Sequence, residues 1–178
     1  DSLGTGICLV NMAIISTNQG DPFGGQELSL EAISFLDEND PAQGVYLLSA
    51  YNNIGIASYN LKQFSKAVEF YQKSLNFISD SGYTRIVKGN IANAYRKEGN
   101  YKEAIRIYNS VIGEEKNPIN YARILSNLEY ALWLDDSKYN PANGILRALT
   151  IRIKEKDALG QNSGYAQLAD YYFKRNPD

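Results

Sequence analysis

Three asparagines, Asn53, Asn90 and Asn127, stand 37 residues apart. A side-chain amide both donates and accepts, so a column of them suits contact with the backbone of an extended peptide. Groups that catalyse are sparse by comparison. No histidine occurs among the 178 residues, which removes the commonest general base near neutral pH and the commonest metal ligand together. The single cysteine, Cys8, lies in the apolar run Ile7-Cys8-Leu9-Val10 and reads as a small buried hydrophobe. Gly4-Thr5-Gly6 lacks both the strand before a phosphate loop and the Lys-Ser/Thr after it. Asp135 and Asp136 are adjacent, and adjacent residues on a helix point apart. Asp37-Glu38-Asn39-Asp40 lacks the glycine and closing glutamate of a calcium loop. All three read as solvated turns, so no catalytic residue, cofactor or metal is expected.

Composition points the same way. A hydrophobic fraction of 44% with 21% charged residues is that of a globular chain. The net charge of −2 offers no basic excess for nucleic acid or an anionic membrane surface. The apolar stretch from Cys8 to Ile15 is far shorter than the ~20 residues that span a bilayer, so no membrane insertion is expected. The chain opens with Asp1 and closes on Asn-Pro-Asp in mid-repeat. It is therefore expected to be a segment of a longer protein, with the compartment, cytoplasmic or periplasmic, left open by the sequence.

The asparagine spacing belongs to a larger register. Ile54, Ile91 and Leu128 follow the three asparagines, then Gly55, Ala92 and Glu129, and two places later Ala57, Ala94 and Ala131. A second block, Phe64-Ser65-Lys66-Ala67 with Phe70 and Tyr71, recurs as Tyr101-Lys102-Glu103-Ala104 with Ile107 and Tyr108. It returns as Tyr139, Ala142, Ile145 and Leu146 after one inserted residue. Within each block the apolar residues fall three and four apart, as on one helix face. Small residues such as Gly55 let two helices approach while an aromatic fills the gap beside them. Because Glu129 replaces the small residue and Ala142 follows the insertion, that hairpin is expected to pack less regularly.

This pattern resembles the tetratricopeptide repeat, most strongly from Leu48 to Ile112. The resemblance implies an all-α, right-handed superhelical solenoid of about four helical hairpins plus a final helix. The chain is then one repeat domain over 1–178, with repeats near 3–38, 43–79, 82–114 and 118–156 and a last helix at 158–175. Turns are expected near Gly20, Leu61, Gly99 and Asp136. The last helix should present Tyr165, Leu168, Ala169 and Tyr172 to the preceding hairpin. The spacing of 37 exceeds the family's 34, which implies longer helices or loops.

In this family the first helix of each pair lines a concave groove. Carried onto this chain, the peptide-binding face comprises Asn52, Asn53, Tyr59, Asn90, Asn93, Arg96, Arg123, Asn127, Tyr130 and Trp133. Amides would hold a peptide backbone, Arg96 or Arg123 a carboxylate, and Trp133 an apolar side chain. The family's carboxylate clamp is not expected, because Gly89 and Gln167 stand where a lysine and an arginine belong. The resemblance implies a partner that is a protein or extended peptide, bound by a scaffold without catalysis in a larger bacterial regulatory protein. The alternative is a sensor that takes a small molecule or short peptide and signals to an attached domain.

Overall fold

The computed structural model describes residues 2–77 and 80–175, with Ser81 described by its backbone alone. Ile78 and Ser79, at the end of the second expected repeat, lie outside these residues. So do Asp1 and the closing Asn-Pro-Asp on which the expectation of an excised segment rests. Nine α-helices and no strand occur among the described residues, in agreement with the expected all-α class. They are α1 (Ser2–Asn18), α2 (Pro22–Ser34), α3 (Gly44–Asn60), α4 (Phe64–Leu75), α5 (Ser81–Glu98), α6 (Tyr101–Ile112), α7 (Pro118–Asp135), α8 (Ala142–Lys154) and α9 (Ala158–Arg175), with a single 3-10 turn at Pro41–Gln43. The chain forms two compact units, Asp1–Glu98 with α1 to α5 and Gly99–Asp178 with α6 to α9.

Local chemistry sets the helix ends. Gly20 and Gly99 take φ of 91° and 93°, a left-handed backbone that costs glycine nothing. Lys62 closes the turn after Leu61 at φ 61°. Asp21 and Asn117 cap α2 and α7, each accepting a backbone N–H three residues on, and each is followed by a proline at the first helical position. Asp136 ends α7 in extended conformation.

In the first unit α1 pairs with α2 and α3 with α4, while α2 packs on α3 and α4 on α5. A core of Val10, Ala32, Leu36, Leu47, Ala50, Tyr51, Ile54 and Phe70 runs through these contacts. Each large aliphatic side chain so buried contributes about 1.5–3 kcal/mol. Gly55 does what its size implies: a Cβ there would stand 2.5 Å from the Tyr71 ring. Two expectations fail at α1. Gly4-Thr5-Gly6 is helix rather than a solvated turn, and Gly6 is buried against Leu36. Cys8 is exposed, because the buried stripe of α1 is Gly6, Val10, Ala13 and Thr17, and a residue two positions from Gly6 lies ~200° round the helix.

In the second unit α6 packs on α7, α7 pairs with α8, and α8 packs on α9. Trp133, Ala142, Ile145, Leu149, Leu168 and Tyr171 form its main core. The bulk of Glu129 is received by Gly144 on α8, where a Cβ would meet the glutamate at 2.2 Å. Glu129 Oε2 in turn accepts the Tyr139 hydroxyl at 2.6 Å. Helix α9 corrects a further expectation. It buries Gly164, Gln167, Leu168 and Tyr171, whereas Tyr165 and Tyr172 are exposed and so is Ala169. The apolar face is turned by about one residue from the one expected, because Tyr171 and not Tyr172 meets the Trp133 ring.

Candidate functional site

In the first unit the expected face comes from α3 and α5. Asn53 is buried, and its Nδ2 donates to Ser29 Oγ at 2.9 Å and to the Gly25 carbonyl at 3.3 Å, both on α2. Its amide is consumed in tying α3 to the helix before it. Asn52, Asn90 and Asn93 are half-buried, and the Asn52 Oδ1 is enclosed without a hydrogen-bond partner. Tyr59, also half-buried, meets Phe64 edge-on at 5.5 Å.

The C-terminal ends of α3 and α5 share one electrostatic neighbourhood. Burial raises the Tyr59 phenol above its ordinary range, and the Arg96 guanidinium on α5 pulls the other way. Burial also lowers the Lys97 ammonium, aided by the nearby charges of Arg96 and Lys62. Arg96 thus acts on both Tyr59 and Lys97, and Lys62 acts on Lys97. Lys62 was not foreseen from the sequence; its place depends on the left-handed turn after α3.

In the second unit the expected residues lie on α7. Arg123 and Tyr130 are half-buried. The Tyr130 hydroxyl donates to Asp170 on α9, which also pairs with Lys174 at 3.0 Å. Asn127 is buried, its Oδ1 accepting from Gln167 Nε2 at 2.8 Å. Trp133 is buried as well, crossed by Tyr171 at 5.5 Å and 89° and flanked by Tyr130 at 5.4 Å. The Lys174 ammonium lies 5.4 Å from its ring centroid. Trp133 is therefore core in this unit, and its faces are taken by its own neighbours.

No cluster of three or more Asp, Glu or Cys able to hold a metal ion occurs among the described residues. No helix of the described residues is long and apolar enough to cross a membrane.

Comparison with known proteins agrees with the helical register. Residues 46–113 match the tetratricopeptide repeat family. This stretch is a tetratricopeptide repeat segment. Over 62 residues the chain is 37% identical to anaphase-promoting complex subunit 6 of Arabidopsis thaliana, a match covering 33% of this chain and 11% of that protein. The chain thus spans about a tenth of the length of that relative. Among solved structures, MamA from residue 41 to its end, from Desulfovibrio magneticus RS-1, is similar with a TM-score of 0.62 at 16% identity, over 99% of this chain and 98% of that one. BtubC from P. vanneervenii is similar with a TM-score of 0.54 at 20% identity, over 92% of this chain and 73% of that one. At such identities these likenesses concern the fold.

Asn52, Asn53 and Tyr59 lie on α3 and Asn90, Asn93 and Arg96 on α5, all within the matched segment. Arg123, Asn127, Tyr130 and Trp133 lie on α7, beyond it.

Proposed function

We infer that the chain binds an extended segment of a partner protein on its first helices, as a scaffold and not as an enzyme. Tetratricopeptide repeats, present over residues 46–113, are protein-interaction scaffolds. What supports the finer reading is that Arg96 on α5 acts electrostatically on half-buried Tyr59 on α3. Asn52, Asn90 and Asn93 are half-buried on the same helices and supply amides for a peptide backbone. Arg96, with Lys97 and Lys62 beside it, favours an acidic residue in the partner. Arg123 and Tyr130 remain candidates on α7, whereas Asn53, Asn127 and Trp133 are assigned to packing. A regulatory place within a larger bacterial protein belongs to the same proposal, and rests on the 37-residue, tyrosine-rich register.

The test starts from peptides selected against the chain from a random displayed library. Asn90→Ala with Arg96→Gln is expected to weaken a selected acidic peptide by ~1–3 kcal/mol in titration calorimetry. Glu69→Ala, on the exposed side of α4, is expected to leave it unchanged. Loss through Glu69→Ala with none through the double variant overturns the placement.

A further inference from the structure

The N-terminal ends of α3 and α5 carry a different surface. Residues between Glu38 and Ser49, with Asn76, Phe77, Asp80 and Tyr83, line a cleft of about 680 Å³ in the first unit. Val45, Leu48, Phe77 and Tyr83 supply its apolar wall, and Glu38, Asp40 and Asp80 supply charge. No lysine or arginine lines it among the described residues. Val45 and Tyr83 are 58% and 55% exposed. The floor is not filled from within: a Cβ added to Gly44 would find nothing nearer than the Phe77 carbonyl at 4.0 Å.

We propose that this cleft is a second docking site, for a partner segment that carries a lysine or arginine beside an apolar side chain. The carboxylates are held in place before any partner arrives. Tyr51, stacked on Phe77 at 5.7 Å and 10°, donates its hydroxyl to Glu38. Asp40 accepts from the Ala42 N–H and the Gln43 amide, each at 2.9 Å, and these bonds hold its carboxyl below the usual range. Asp80 accepts from the backbone N–H of Gly82 and of Tyr83. Capping of helix N-termini accounts for Asp40 and Asp80 by itself, since carboxylates are favoured there. It does not account for Val45 and Tyr83, whose apolar surface stands in water beside those carboxylates. A cation flanked by an apolar group satisfies both features, and the volume falls within the range of binding clefts. Like charge at Glu38, Asp40 and Asp80 disfavours an acidic segment.

This site is independent of the one inferred at Tyr59 and Arg96. Val45 and Tyr59 lie at opposite ends of α3, about 20 Å apart at 1.5 Å per residue. The two ends also carry opposite charge. The experiment is an amide NMR titration of the whole chain with the blocked tetrapeptide Gly-Arg-Phe-Gly, and with Gly-Glu-Phe-Gly and Gly-Arg-Ala-Gly in parallel. Saturable shifts are expected at Gly44, Val45, Leu48 and Tyr83 for the first peptide, with affinity at least about fivefold lower for each of the others. Asp80→Asn and Glu38→Gln are each expected to weaken it about threefold to fivefold, the range of exposed ion pairs. Val45→Ser, an exposed change that keeps the helix, is expected to weaken it too, while Arg96→Gln leaves it unaltered. Equal binding of the glutamate peptide, shifts centred on Tyr59 and Lys97, or no saturable shift overturns the proposal.

Discussion

Asn53 and Asn127 occupy the same place in the repeat register, and the two units use them in opposite directions. In the first unit Asn53 reaches back to α2, where Ser29 and Gly25 meet its amide. In the second, Asn127 reaches forward to α9 and holds Gln167. The hairpins around them differ in the same manner. Beside Asn53 a glycine on the first helix makes room for Tyr71 on the second; beside Asn127 a glutamate on the first helix projects over Gly144 on the second. A shared register thus fixes where a side chain starts. The neighbouring helix decides what it bonds to and which of two facing positions must be small.

Removing each amide in turn separates the two roles. Asn127→Ala strands the buried Gln167, whose Oε1 already lacks a partner, and is expected to cost about 2–3 kcal/mol. Asn53→Ala is expected to cost only about 1 kcal/mol, because Ser29 still donates to the Gly25 carbonyl at 2.8 Å. Urea midpoints give the answer, and equal losses would mean that the two asparagines do the same work.

The two hairpins also differ in how they tolerate a methyl at the glycine. Gly55→Ala puts a methyl 2.5 Å from the buried Tyr71 ring, and a net loss of about 1–2 kcal/mol is expected from overpacking. Gly144→Ala meets a carboxyl that can swing toward solvent, and alanine is the better helix former by about 1 kcal/mol. Its melting point should therefore stay close to the parent's. A large loss at Gly144 would show that Glu129 is held rigidly by Tyr139.

The smallest expected effect concerns a feature the two units share. Tyr51 and Tyr139 each donate to a glutamate, Glu38 and Glu129. Burial first, and then the carboxylate, push both phenols up to about 12. A folded-state value above the unfolded one, near 10, favours the protonated phenol in the fold. The stability so contributed is present in full below pH 10 and is lost as pH rises toward 12. Ultraviolet titration of tyrosinate should show Tyr51 and Tyr139, together with half-buried Tyr59, lagging the rest of the 14 tyrosines, with one fewer in Tyr51→Phe and one fewer in Tyr139→Phe. Ionisation of all tyrosines together in a chain that circular dichroism reports as folded would refute the pairing.

The all-helical class and the turns at Gly20, Leu61, Gly99 and Asp136 were legible in the sequence, because they follow from periodicity and local backbone preference. A three-and-four apolar spacing needs no partner to be recognised, and a left-handed glycine ends a helix wherever it stands. The buried stripes of α4 and α6 were legible for the same reason. The candidate surface was legible only as a set of positions on first helices. Which members are taken into packing depended on neighbours distant in sequence: Ser29 closes over Asn53, Gln167 over Asn127, and Tyr171 over Trp133. Cys8 and α9 depart from the sequence expectation because an apolar residue does not announce which way its helix is rotated. One residue of helix is a turn of about 100°, and that angle is chosen by the shape of the surface the helix packs against, here Leu36 for α1 and Trp133 for α9. Periodicity and local preference were settled along the chain. Partners and rotation were settled only by packing between segments tens of residues apart.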